Sequence, residues 1–326
     1  MKATTVNQSL QHPSETTANG VPAHRTALVL AGAGAAGNAW QLGLIAGLSD
    51  AGVDVTDADL VIGTSAGSTA AAQITSGRPP AELYTAVVAE APPASGGGPG
   101  GGAGPGAAAG RSGAASMTWS DGIIGAARDA SDLRRRLGAA ALERDAPDEA
   151  GPTRWRRIVS ARLPGIGWPQ QLVLITAVDA RTGEPVVFDR RSGVELVDAV
   201  AASTSNPFGG TYPIGNHRYI NGGYRRSENA DLASGYGRVL VLSPFGGRSR
   251  MPQDWGMDLA TQVAELRAAG SRVETVFPDS GSGDVFDANA LDPSTRPQAA
   301  RGGHAQGRAL AGRLGPFWRG DHPSLT

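Results

Sequence analysis

Apolar residues along this chain come in short blocks whose spacing switches between continuous runs and a helical period. Thr26-Ala27-Leu28-Val29-Leu30-Ala31 is a continuous run that ends in Gly32-Ala33-Gly34-Ala35-Ala36-Gly37. Beyond it Trp40, Leu44 and Leu48, with Leu42 and Ile45 between them, recur at helical spacing as far as Asp50-Ala51-Gly52, which predicts strand, glycine-rich turn and helix. A second run, Leu60-Val61-Ile62, stops at Gly63-Thr64-Ser65-Ala66-Gly67, and small residues through Ala72 predict a helix that closes before Arg78-Pro79-Pro80. Two strands joined through a helix form a βαβ unit, whose crossover is right-handed.

The alternation then breaks and resumes. Ala81 to Ala89 predicts a short helix, but Ala91 to Ser116 is nearly all Gly, Ala, Pro and Ser. Such a stretch has no side chains to bury and reads as a flexible insertion. Helices are predicted for Ile123 to Arg128 and Leu133 to Leu142, the latter carrying Arg134-Arg135-Arg136 as a solvated face. Trp155, Ile158, Val159 and Trp168 lie among Arg154, Arg156 and Arg157 as an amphipathic patch, read as half-buried packing. Strands are predicted at Gln171 to Asp179, Val186 to Phe188, Arg218 to Ile220, Arg238 to Leu242 and Arg272 to Phe277. Helices are predicted at Val194 to Ala202, Met257 to Ala269 and Ala305 to Trp318. Strands and helices in alternation predict an α/β fold, a three-layer α/β/α sandwich with a mostly parallel central sheet. Residues 25–320 are expected to form one domain behind a polar, disordered tail at 1–24, which has no apolar core of a signal peptide or anchor.

Composition narrows the function more than the fold. Lys and Arg number 29 against 30 Asp and Glu, so no global field favours nucleic acid, and any membrane contact is local and peripheral. There is no cysteine, which removes disulfides, thiol catalysis and Cys-ligated metals together. The five histidines are scattered without a metal-ligand pair, and neither metal nor cofactor is expected. A cytoplasmic location is expected.

The candidate chemistry sits at the ends of the first two strands. In Gly63-x-Ser65-x-Gly67 the glycines allow backbone segments to meet closely around a serine at a strand-to-helix turn. The helix that starts at Ala66 aims its free N–H groups and positive dipole end at an anion forming beside Ser65. Neighbouring parallel strands put the Gly32 to Gly37 turn on the same sheet edge, so the N–H groups of Ala33, Gly34 and Ala66, with Gly32 beside them, form a candidate oxyanion hole. Gly32-x-Gly34-x-x-Gly37 also matches the dinucleotide fingerprint, but the second strand ends in Gly63-Thr64-Ser65 and offers no carboxylate for a ribose. A Ser-acid-His triad of the α/β-hydrolase kind needs several strands before the serine, and only one precedes it here. His217 and His304 lie downstream, one beside a strand and one in a polar loop, and both read as surface residues.

These motifs resemble those of bacterial patatin-like phospholipases, over Arg25 to about Trp318. Leu30 to Gly37 is similar to that family's oxyanion loop, and Gly63 to Gly67 to its nucleophile motif. Ala201-Ala202-Ser203 to Pro207, Tyr219 to Gly223 and Glu228 to Leu232 are similar to its distal half. The resemblance implies a patatin-like sandwich and a Ser/Asp dyad, without histidine, that cleaves acyl esters of lipids. On it, Ser65 is the nucleophile and Asn221 stands where the family has its dyad aspartate. A second departure is Ala36, where the family usually carries Arg or Lys. An amide cannot accept the serine proton, so fold and binding are expected to survive while turnover falls. Glu228 and Asp231, the nearest carboxylates in sequence, read as loop-fixing residues. An acyl-binding pseudoenzyme and a biosynthetic acyltransferase or cyclase using the same oxyanion hole stay open as alternatives.

Overall fold

The computed structural model describes residues 24–90, 105–146, 150–165, 167–286 and 289–321. The tail expected to be disordered and most of the glycine-rich insertion lie outside them. In chain order the elements begin β1 (Thr26–Leu30), α1 (Gly34–Asp50), β2 (Leu60–Gly63), α2 (Ala66–Ile74) and α3 (Pro80–Val88). Three further helices follow, α4 (Pro105–Ala126), α5 (Ala130–Leu142) and α6 (Ala150–Ser160), before β3 (Leu172–Asp179) and β4 (Pro185–Phe188). The rest is α7 (Leu196–Ser203), β5 (Tyr212–Ile214), β6 (His217–Asn221), β7 (Arg238–Leu242), α8 (Leu259–Ala268), β8 (Arg272–Val276) and α9 (Arg296–Arg319).

One sheet runs in the order β5-β6-β3-β2-β1-β7-β8, with β4 also paired to β3. The five strands from β3 to β8 are parallel, while β4, β5 and β6 pair antiparallel at the β3 side. The sheet is therefore mixed, with a parallel centre. From β1 the chain proceeds outward to β2 and β3 on one side, then returns to place β7 and β8 on the other. The switch between β1 and β7 opens a crevice beyond the carboxyl ends of these strands, where open α/β sheets bind ligands.

Strand alternation sends Leu28 and Leu30 to one face and Ala27 and Val29 to the other, and all four are fully buried. The first face packs Trp40, Leu44 and Leu48 of α1 with α2, α7 and α9. The second packs Leu259, Val263 and Leu266 of α8 with Ala230 and Ala233. Helices thus cover both faces, as the alternation predicts.

Two helix expectations need correction. The closing helix, expected from Ala305, begins at Arg296, because its first turns are glycine-rich for packing rather than for turning. A Cβ at Gly43 of α1 would collide with the Ala300 carbonyl, and one at Gly307 of α9 with that of Leu44. The helices approach through missing side chains, and Trp40 Nε1 donates to Gln306 Oε1 across the contact at 2.9 Å. His304, expected in a polar loop, lies on α9, stacked on Tyr84 and 2.8 Å from Asp50 Oδ2. The insertion also yields part of its length to structure, since residues 105–116 belong to α4. Alanine there has high helix propensity.

Candidate active site

The turn after β2 is tight because glycine surrounds it. A Cβ on Gly63 would stand 2.6 Å from the Ser68 Cα, and one on Gly67 would strike the Leu30 carbonyl. Ser65 itself holds φ 53° and ψ −124°, a conformation that costs a non-glycine residue on the order of 1–3 kcal/mol. Two contacts hold it there. Its N–H donates to Ser203 Oγ at 2.9 Å, and its carbonyl accepts from the Ser68 N–H at 2.8 Å. Ser203 ends α7 and is fully buried, so a residue far along the chain fixes the turn.

The loop after β1 faces this serine. A Cβ on Gly32 would lie 2.8 Å from the Ser65 Cβ, so only glycine lets the loop close over it. Helices α1 and α2 both begin at this point, with Ala33 and Ser65 in their N-cap positions, and neither has a side-chain cap. Within the first turn of α1 the Ala36 N–H is taken by the Ala290 carbonyl at 3.0 Å and the Gly37 N–H by Ala33 at 3.0 Å. Ala36, where the resemblance leads one to expect a cation, is completely buried. A guanidinium does reach the same turn from α9: Arg296 Nη1 lies 2.8 Å from Asn38 Oδ1 and 3.3 Å from the Ala35 carbonyl, while Glu90 closes the ion pair.

From the antiparallel side, β6 delivers Asn221 opposite Ala177 of β3. Its Nδ2 donates to Ser65 Oγ at 2.9 Å, and its Oδ1 accepts from the Gly223 N–H at 2.8 Å. The second bond sets the first: the backbone N–H takes the amide's acceptor, leaving only the donor to face the serine. A carboxylate in the same place would accept at both ends.

A family model described as patatin-like phospholipase matches residues 28–234, more than half of the chain. The chain belongs to the patatin-like phospholipase family. No curated protein matches it closely enough to be named. Two solved structures resemble it at low identity. The crystal structure of VipD from Legionella pneumophila is 12% identical with a TM-score of 0.42, over 92% of this chain and 69% of that one. That of the type III effector protein ExoU is 16% identical with a TM-score of 0.38, over 91% of this chain and 56% of that one. At this distance neither speaks to the chemistry of the site.

The patatin-like family match spans both halves of the site, and the polar groups between them form a network that sequence reasoning missed. Asn229 Nδ2 donates to Thr64 Oγ1 at 2.9 Å, to Thr176 Oγ1 at 3.2 Å and to the Gly222 carbonyl at 3.1 Å. It thereby ties β2, β3 and the segment after β6 together directly behind Ser65. Asn229 adopts a left-handed conformation, φ 60°, and Arg225 donates to its Oδ1 at 2.8 Å and to both oxygens of Asp231. Glu228 is buried, accepts from Ser227 and Ser243, and has its carboxyl pushed up by burial. Both acids therefore fix the loop. His217 stands four positions before Asn221 on β6, about 13 Å along the strand, and bonds Asp179 at 3.2 Å. Among the described residues no cluster of His, Asp or Glu could hold a metal ion.

Proposed function

We propose that this member of the patatin-like phospholipase family is a serine acyl hydrolase of lipid esters whose turnover is held down by Asn221. The observation that carries the reading is the 2.9 Å bond between Asn221 Nδ2 and Ser65 Oγ at the mouth of two uncapped helices. In this reading Ser65 Oγ attacks the acyl carbonyl, and the oxyanion is received by the N–H groups of Ala33, Gly34 and Ala66. Each such donor contributes about 3–4 kcal/mol to the transition state. The alcohol leaves with a proton, and water releases the acyl group from Ser65. With aspartate at 221 the serine proton would pass to the carboxylate and on to the leaving alcohol. With the amide it must pass to solvent. Residues 25–320 act as one catalytic domain, with no metal or cofactor.

The second reading is a pocket that binds acyl chains without hydrolysing them. It is favoured by the direction of the Asn221 bond, which places a donor rather than an acceptor against the nucleophile. Labelling with a fluorophosphonate, followed by mass spectrometry, separates the two on this chain and on Asn221→Asp. Slow labelling at Ser65 that accelerates in the aspartate variant, together with ester turnover, supports the hydrolase. Labelling without turnover in Asn221→Asp supports the binding pocket, and no labelling of Ser65 in either chain removes the hydrolase reading.

A further inference from the structure

Among the described residues four large apolar side chains stand out into solvent: Met117, Phe245, Phe277 and Leu291, 37% to 52% exposed. They come from four separate segments, yet all four ring the sheet edge that carries Ser65. Leu291 lies on the oxyanion loop, since a Cβ at Gly34 would stand 2.7 Å from its Cδ2. Phe245 follows β7, directly after Pro244, which packs on Gly37 of the same loop. Phe277 follows β8, and its ring edge faces Gly247. Between Phe245 and Phe277, Pro244, Arg248, Pro278 and Phe286 line an open cleft of about 350 Å3, beyond the carboxyl ends of β7 and β8. Met117 stands on the other flank. Its neighbour Ser116 bonds Asn206, which follows Ser205 in the loop after α7, and the Ser205 carbonyl accepts the Asn221 N–H.

We propose that this edge is a docking face for a zwitterionic phospholipid surface, with the four side chains inserting around the mouth of the site; the proposal rests on the acyl-hydrolase reading of Ser65. Exposed apolar groups scattered singly need no explanation, but convergence of all four on one edge does. The projecting side chains arise from three loops and one helix, so they offer prongs to a layer rather than a groove to a peptide. A protein seated there would close the way to Ser65, whereas a lipid layer delivers the ester to it. Charge selects the kind of lipid. Arg250 is bridged to Asp121, Arg248 and Asp279 line the same cleft, and Asp292 follows Leu291. Among the described residues these two arginines stand with three aspartates, so anionic head groups gain nothing from them, and the apolar insertion supplies the attachment.

The absence of cysteine makes the test clean. Single Met117→Cys, Phe245→Cys, Phe277→Cys and Leu291→Cys variants carry a polarity-sensitive fluorophore, with exposed Ala51→Cys at the far end of α1 as control. Phosphatidylcholine vesicles are expected to shift the emission to the blue at the four rim positions and not at 51. Replacing a third of the lipid by phosphatidylglycerol should leave the binding unchanged. No shift at the rim, an equal shift at 51, or binding only to anionic vesicles overturns the proposal. A self-association that the rim substitutions abolish, with no vesicle binding, overturns it in favour of a second copy. These readings need no turnover, so they stand apart from the chemistry at Ser65. As a second measurement, Phe245→Ser/Phe277→Ser in the Asn221→Asp background should lower hydrolysis of vesicle lipid by about tenfold and spare a water-soluble short-chain ester. Equal loss on both substrates, or none on either, counts against the docking face.

Discussion

The parallel side of the sheet brings Gly32, Ser65 and Ala66 together within one βαβ unit, whereas the antiparallel side brings Asn221 to Ser65 across 156 positions. The first side contributes backbone: two strand ends, two helix starts, and glycines that let them touch. The second contributes side chains: Ser203 on the Ser65 N–H, Asn221 on its Oγ, and Asn229 joining Thr64 to Thr176 behind it. Backbone donors depend on geometry and tolerate no added volume. Side-chain partners depend on one functional group each, and can be exchanged while the fold persists. On the hydrolase reading proposed above, a family member can therefore keep the loop after β1 and the turn at Ser65 intact and still alter its proton chemistry by one atom at position 221.

The largest expected effect breaks the comparison at that atom. Asn221→Asp should raise ester turnover on the order of 10²–10⁴-fold, measured as kcat/KM on a short acyl ester, with Ser65→Ala in the same background returning it to background. Retained activity in that double variant would remove the dyad. The backbone side answers next: Gly67→Ala puts a methyl against the Leu30 carbonyl and should cost about 3 kcal/mol or more in denaturant unfolding. A melting temperature like the parent's would show that the elbow can open.

Ser203→Ala tests whether the distant side chain supports the near turn. It leaves the Ser65 N–H without the Ser203 hydroxyl at a strained φ, for a cost of about 1–3 kcal/mol. In the Asn221→Asp background it should lower kcat more than it raises KM, and Ser203→Thr should restore part of both losses. The smallest effect concerns Glu228. Burial raises its carboxyl above the ordinary value, so the folded chain keeps that proton at pH values where the unfolded chain has lost it. Stability therefore falls as pH rises from the ordinary carboxylate range through the raised value. Glu228→Gln removes that slope, and its melting temperature should gain on the parent's as pH rises. Parallel curves for the two chains would place the charge elsewhere.

Local patterning determined the parallel side. A run of apolar residues, a glycine at the strand end and small residues beyond it specify Leu60 to Ile74 without help from the rest of the chain, because each requirement is met by neighbours in sequence. The order of motifs also placed Asn221 beside Ser65, through resemblance to the patatin-like family rather than through spacing. What only the tertiary structure decided is which groups stand behind these two residues and which way they point. A buried hydroxyl such as Ser203 or Thr176 leaves no periodic trace, since one serine in an apolar helix looks like any other. The orientation of the Asn221 amide is set by the Gly223 N–H, a contact no pattern of residue types records. The same holds for helix α9: its glycines read as breakers until α1 lies against them, where the missing side chains become the packing surface. Sequence fixes requirements that adjacent residues satisfy for one another; contacts between distant segments acquire their meaning only when the fold has chosen the partner.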